Sequence, residues 1–168
     1  MLIIPLVYGA IAGSITIAVM ILGMVLGGEH GGGTGGATFG YAVMLVALVL
    51  IFLGVKRHRD RNLGGVIKFG PAFGLGVAIA AVAGFFYVVG WEINLAATDY
   101  AFISDYAQGV IASKEAGGAS AEELRKATEN MAEFAEQYKN PVFRLPMTFI
   151  EIFPVGLLVA LVSAAILR

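Results

Sequence analysis

Four long apolar stretches dominate the hydrophobic pattern of the chain, and polar segments separate them. They cover residues 2–27, 38–55, 71–93 and 146–167. A helix needs about 20 mostly apolar residues to cross the hydrocarbon core of a bilayer. Each stretch is therefore predicted to be a transmembrane helix. We predict an all-α fold, a four-transmembrane-helix membrane bundle that forms one integral membrane domain over residues 1–168.

The segment between the third and fourth stretches carries helical signals of its own. Ser120 and Glu123 have the spacing of a capping box, which marks a helix start. After it, spacings of three and four place on one helical face Leu124, Ala127, Met131, Phe134 and Tyr138. A second apolar face upstream contains Leu95, Phe102, Ile103, Tyr106 and Val110.

These two faces predict an external helical hairpin between helices three and four. Helix three is expected to extend to about residue 112, and the second helix to cover residues 121–139. The two apolar faces would then pack together. Alternatively, a second copy or a membrane-protein partner binds this surface.

Basic residues concentrate in the short segment 56–70 and predict the orientation of the chain. It contains four closely spaced cations: Lys56, Arg57, Arg59 and Arg61. Cytoplasmic loops carry an excess of Lys and Arg. We therefore expect this segment and both termini to be cytoplasmic, and residues 28–37 and 94–145 to be external. The expected location is the bacterial inner (cytoplasmic) membrane, and the N-terminal stretch lacks the basic start of a cleaved signal peptide.

The same four cations are candidates for contact with lipid headgroups. Each Lys or Arg near an anionic leaflet contributes about 1 kcal/mol of attraction. The alternative is that they only set the topology. Asp60, within the cluster, is positioned to pair with a neighbouring Arg and to give a structured turn.

Composition and charge narrow the function classes. Hydrophobic residues make up 58% of the chain and charged residues 14%, so lipid must cover part of the apolar surface. The net charge of −1 gives no basic field for nucleic acid. The absence of cysteine excludes thiolate metal sites, iron–sulfur ligation and cysteine nucleophiles. No enzyme motif is present and no cofactor is expected, so a catalytic role is disfavoured.

Two carboxylates fall within the predicted spans, where ionisable groups suggest function. Glu151 lies five residues after Pro146, and Pro154 cannot donate an N–H to the carbonyl of Ile150. Glu92 lies at the external end of helix three. With His30 in the glycine-rich external loop, Glu151 and Glu92 are candidates for a metal site or a proton relay. Alternatively, Glu151 is stabilised by the dipole of its helix, and Glu92 marks the membrane surface.

Three segments also resemble a known family. They are Phe52-Leu-Gly-Val-Lys-Arg-His-Arg-Asp60, the glycine-rich residues 64–73, and the terminal residues 151–168. They resemble the bacterial membrane-protein family catalogued as domain of unknown function 4199. The resemblance implies a small four-helix membrane protein and supplies no activity, substrate or catalytic residue.

Two functions are therefore predicted from different classes. The first is a non-catalytic accessory, scaffolding or lipid-interacting component whose partners are membrane lipid and, through the hairpin, a second copy or another membrane protein. The second is a small oligomeric transporter or channel for a cation or proton that uses Glu151 and Glu92.

Overall fold

The computed structural model describes residues 3–25 and 34–168, with the side chains of residues 34–37 excepted. The described part is helical throughout apart from short turns and contains no strand, which confirms the all-α prediction. The helices are α1 Ile3–Val25, α2 Thr34–Asn62, α3 Phe69–Ala97, α4 Ala101–Ala116, α5 Ala121–Tyr138 and α6 Pro141–Leu167.

Four of these helices are long and apolar enough to cross a membrane: α1, α2 from Thr38, α3 and α6. Only 33% to 39% of the residues in the most apolar window of each are buried inside the protein. Large side chains such as Val46, Phe85 and Ile150 are more than half exposed. Exposed apolar surface on this scale marks a protein or membrane contact, which fits a membrane protein.

Helix α3 occupies the centre, packing most extensively against α1 and α6, while α2 contacts α1, α6 and α3. Small residues allow the close approach. A Cβ atom added at Gly13 of α1 would overlap the carbonyl oxygen of Ala83 in α3. Between α3 and α6, a Cβ atom at Gly156 would lie 2.7 Å from the Cβ atom of Ala80. The middle of the structure is therefore tightly packed.

The C-terminal ends of α2 and α3 differ from the sequence prediction. Helix α2 continues to Asn62, so Lys56 to Arg61 lie on its last turns rather than in a loop. Helix α3 ends at Ala97 instead of running to about residue 112. Asp99 and Tyr100 adopt left-handed backbone conformations, with φ of 49° and 58°, and break the helix before α4 begins.

Helix α6 begins at Pro141, five residues before the predicted start. The side chain of Asn140 accepts a hydrogen bond from the N–H of Val142, and Pro141 occupies the first turn. From the sequence, the preceding helix was expected to end at residue 139, where Asn140-Pro141 follows, and the next to begin at 146. The same dipeptide also begins the next one, and Pro146 consequently lies inside α6.

The predicted packing of the hairpin is confirmed, because α4 and α5 contact one another. Ser120 and Glu123 form the complete capping box at the start of α5. Tyr106 and Phe134 face each other across the hairpin, with ring centroids 6.4 Å apart. Gly118, with φ of 78°, supplies the left-handed residue of the turn between the two helices.

Candidate functional site

A cavity of about 610 Å³ lies where the hairpin meets the long helices. Its walls come from the end of α1, the start of α2, the end of α3 and the first half of α6, and the hairpin contributes the remaining side. This volume falls within the range of small-molecule sites, about 300–1,000 Å³.

The lining is mainly aromatic and thioether. Four methionines line the cavity: Met20, Met24, Met44 and Met147. The long helices add three aromatic residues, Tyr41, Tyr87 and Trp91. The hairpin adds four more, Phe102, Tyr106, Phe134 and Tyr138. Methionine side chains adapt to irregular apolar shapes, and aromatic rings offer faces that attract cations.

Among the described residues, Glu151 supplies the single carboxylate in this lining, and neither Lys nor Arg lines the cavity. The side chain is exposed on the cavity wall. Its Oε2 atom accepts a hydrogen bond of 3.2 Å from the hydroxyl of the buried Tyr87. Among the residues that the structure describes, no cation forms an ion pair with Glu151.

The true start of α6 weakens the helix-dipole explanation for Glu151. Glu151 lies ten residues after Pro141, about 15 Å along the helix axis. The dipole effect fades within the first turn of a helix. The hydroxyl of Tyr87 and the open cavity are therefore what accommodate the carboxylate. Pro154 has no N–H to donate to the carbonyl of Ile150, four residues earlier in α6. Ile150 also lines the cavity.

Glu92 has a different partner, which the sequence analysis missed. Arg144 binds it through two hydrogen bonds, Nε to Oε1 at 2.7 Å and Nη2 to Oε2 at 2.6 Å. The Arg144 side chain is only 5% exposed, and its Nη1 also donates to the carbonyl of Tyr138 at 2.9 Å. The one feature of the sequence that could have indicated this pair is Arg144 itself, a lone arginine just before the apolar stretch 146–167.

The structure thus gives the two predicted carboxylates separate partners, Tyr87 for Glu151 and Arg144 for Glu92. Across residues 3–25 and 34–168, no group of three or more His, Asp or Glu side chains is arranged to hold a metal ion. His30 lies outside the described residues. The metal-site hypothesis that joined it to the carboxylates therefore stays a prediction.

A buried hydrogen bond fixes the hairpin to the end of α3. Trp91 Nε1 donates to the hydroxyl of Tyr138 at 2.8 Å. The Trp91 ring also packs edge-on against Phe102, with centroids 4.7 Å apart. Burial raises the pKa of the Tyr138 phenol above its ordinary value, so the hydroxyl stays neutral. The cavity wall formed by the hairpin is thereby positioned relative to the long helices.

The basic cluster lies at the opposite end, where α2 and α6 end. Lys56, Arg57 and Arg61 are exposed. Arg59 is half-buried, pairs with Asp60 at 2.7 Å and donates a long hydrogen bond of 3.4 Å to the carbonyl of Leu167. The predicted pairing of Asp60 with an Arg is confirmed. Lys56, Arg57 and Arg61 therefore form no ion pair with any described residue, whereas Arg59 contacts the end of α6.

One comparison with known proteins decides the family. The DUF4199 family, described as a protein of unknown function, matches residues 7–168. The chain belongs to the DUF4199 family. No curated protein and no solved structure matches it. The resemblance seen in the sequence is confirmed at the level of the family.

The DUF4199 match covers both polar regions of the structure, the cavity with Glu151 and the basic cluster with Lys56, Arg57 and Arg61. The four long helices run between these regions with a largely apolar interior, in which Thr16 and Ser163 are buried polar residues. A function for this DUF4199 chain has to account for both ends.

Proposed function

We propose that this chain is a multi-pass protein of the bacterial inner membrane with a non-catalytic, lipid-interacting role, as an accessory or scaffolding component. The observation that carries the proposal is the exposure of Lys56, Arg57 and Arg61 at the end of a helix long enough to span the membrane. At the end of a spanning helix, the three cations would lie at headgroup depth. Together they would attract an anionic leaflet by about 3 kcal/mol.

The basic cluster also orients the chain in this proposal. The positive-inside rule puts the end of α2 and both termini in the cytoplasm, and the hairpin on the external side. The chain has no cysteine, so a single introduced one labels one position. Lys126→Cys on the hairpin should react with a membrane-impermeant maleimide applied outside intact cells. Asn62→Cys should react only after the membrane is opened, and the reverse pattern contradicts the orientation.

The headgroup contact is tested by native mass spectrometry of protein extracted gently from its membrane. The triple variant Lys56→Gln, Arg57→Gln, Arg61→Gln should retain fewer anionic phospholipids than the wild type. A matched control removes three exposed cations of the hairpin region: Lys114, Lys126 and Lys139. Equal lipid retention by the two triple variants would contradict a specific contact at the end of α2.

Partner binding through the hairpin would use its polar outer face, since the apolar faces of α4 and α5 already pack together. Arg125 on this outer face bridges Glu122 at 2.8 Å and Glu129 at 2.6 Å. The hydrogen bond from Arg125 lowers the pKa of Glu122. A partner or second copy would therefore meet a charged surface. Salt-sensitive association detected by crosslinking at Lys126→Cys would support such a contact, and salt-insensitive association would oppose it.

A small transporter or channel for a cation or proton is the second candidate, because Glu151 faces a cavity. The polar groups beyond it give this candidate little support. Thr16 and Ser163 donate to carbonyls of their own helices, those of Ala12 at 2.8 Å and Val159 at 2.6 Å. Liposomes containing the protein test it directly. Cation or proton flux that Glu151→Gln abolishes would establish transport, and no flux above empty liposomes would exclude it.

A further inference from the structure

We propose that the cavity binds an amphipathic organic cation, with its positive group beside the Glu151 carboxylate and its apolar part against the aromatic wall of the hairpin. No part of this inference depends on the lipid contact, which lies at the opposite end of the helices. The argument rests on the charge, the lining and the size of the cavity.

The charge of the lining favours a cationic ligand. A carboxylate within a membrane-spanning helix is costly unless a partner compensates it. Tyr87 provides one neutral hydrogen-bond donor, and over residues 3–25 and 34–168 no Lys or Arg lines the cavity. Arg144 lines no part of the cavity and both oxygens of Glu92 already bind it. A positive ligand would supply the charge that the described residues leave out.

The rest of the lining favours an organic ligand over a metal ion. Calcium takes six to eight oxygen ligands, and magnesium takes six. In the part of the chain that the structure describes, the cavity offers one carboxylate among methionine and aromatic side chains. Aromatic rings attract organic cations through their faces, and methionine adapts to the shape of an apolar group. A space of about 610 Å³ also far exceeds what a single ion needs.

Tyr87 and Trp91 bring the negative charge and the aromatic wall together in one site. The Tyr87 hydroxyl holds the carboxylate, and Trp91, one helical turn later on α3, holds the hairpin through Tyr138. The charged wall and the aromatic wall are consequently organised by the same stretch of α3. This arrangement suits a ligand with a positive group and an apolar group close together.

The test uses the full chain in lipid nanodiscs and two probes of the same shape and opposite charge, tetraphenylphosphonium and tetraphenylborate. Equilibrium dialysis should show saturable binding of the cation and a clear preference for it over the anion. Glu151→Gln should weaken binding of the cation about tenfold, because one opposite charge in a partly desolvated site is lost. Asp105→Asn, which removes an exposed carboxylate of α4 outside the cavity, should leave binding unchanged.

A second variant changes the volume without changing the charge. Gly40 lines the cavity, and a Cβ atom there would lie 3.4 Å from the Met20 sulfur. Gly40→Leu should reduce the saturable binding of tetraphenylphosphonium, with folding checked by thermal unfolding. If Glu151→Gln fails to fold, Gly40→Leu still decides whether the cavity is the site. The proposal is overturned if the cation binds no better than the anion, if Glu151→Gln binds it like the wild type, or if Gly40→Leu does so.

Discussion

Replacing Arg144 by Met should destabilise the protein by about 3–5 kcal/mol, the cost of removing one partner from a buried ion pair. The Arg144 side chain is 5% exposed, and Glu92 is 27% exposed. Water can partly hydrate the Glu92 carboxylate that remains, so the lower end of this range is expected. The variant also loses the hydrogen bond of 2.9 Å to the carbonyl of Tyr138.

The complementary variant, Glu92→Met, should be the more harmful. It leaves the less exposed member of the pair, the Arg144 guanidinium, without its counter-ion, so the upper end of the range applies. The double variant, with Met at both positions, removes both charges and should lie closer to the wild type than either single variant does. The reason is that replacing a whole buried pair by apolar side chains is often nearly neutral.

Unfolding by sodium dodecyl sulfate in mixed micelles measures these free energies for all four proteins of the cycle. Arg125→Met is the control. It breaks two ion pairs, to Glu122 and Glu129, whose side chains are all more than half exposed, and no measurable change is expected. A double variant whose loss equals the sum of the two single losses would refute the reasoning, since Arg144 and Glu92 would then contribute independently.

Three further predictions concern packing, capping and the buried hydroxyl. Gly13→Ala should lower the thermal unfolding temperature, because its methyl group would overlap the carbonyl oxygen of Ala83, whereas Gly74→Ala enters open space and should not. The hydrogen bond from the Ser120 N–H lowers the pKa of Glu123. The stability from this capping box should therefore be fully present above the ordinary pKa of glutamate and be lost as the pH falls through the lowered pKa of Glu123. Hydrogen exchange at the start of α5 should become faster over the same pH range. Glu123→Gln should remove this pH dependence. Tyr138→Phe should leave the Trp91 N–H without its acceptor, and a changed emission of this single tryptophan would report it; an unchanged emission would oppose the assignment.

Much of the fold follows from local patterns in the sequence. The apolar stretches identify the four long helices, and the capping box at Ser120 locates the start of α5 to the residue. The spacing of Leu124, Ala127 and Met131 identifies the face that packs in the hairpin. Each of these signals lies within a few turns of chain, which is why the sequence alone reveals it.

The structure differs from the sequence prediction where a short segment lies between two helices and affects both, and where interacting residues are distant in sequence. Asn140-Pro141 follows α5 and also begins α6, whereas hydropathy alone places the start of this helix at Pro146, beyond the charged Arg144. Arg144 is buried in an ion pair with Glu92, which lies 52 positions earlier. No local pattern encodes such a pair, so the sequence analysis selected Glu92 without its partner.

The candidate site shows the same division between local and distant information. Glu151 was identified from the sequence because a carboxylate in an apolar helix is conspicuous. The residues around Glu151 could not be identified in this way, because the cavity combines side chains from all six helices. The hydroxyl that binds Glu151 belongs to Tyr87, 64 positions away. Sequence reasoning therefore indicated the charge of the site but not its aromatic wall or its volume.

The ion pair between Arg144 and Glu92 also bears on the charge of the cavity. Had Arg144 reached the cavity, it would have offered Glu151 an internal counter-ion, and the proposed cationic ligand would have had no charge to compensate. Instead, Arg144 is held by both oxygens of Glu92 and by the carbonyl of Tyr138. Loss of Glu92 would free the guanidinium beside Tyr138, whose ring lines the cavity. In the proposed site, the affinity for a cation would therefore depend on Glu92, a residue that does not line the cavity.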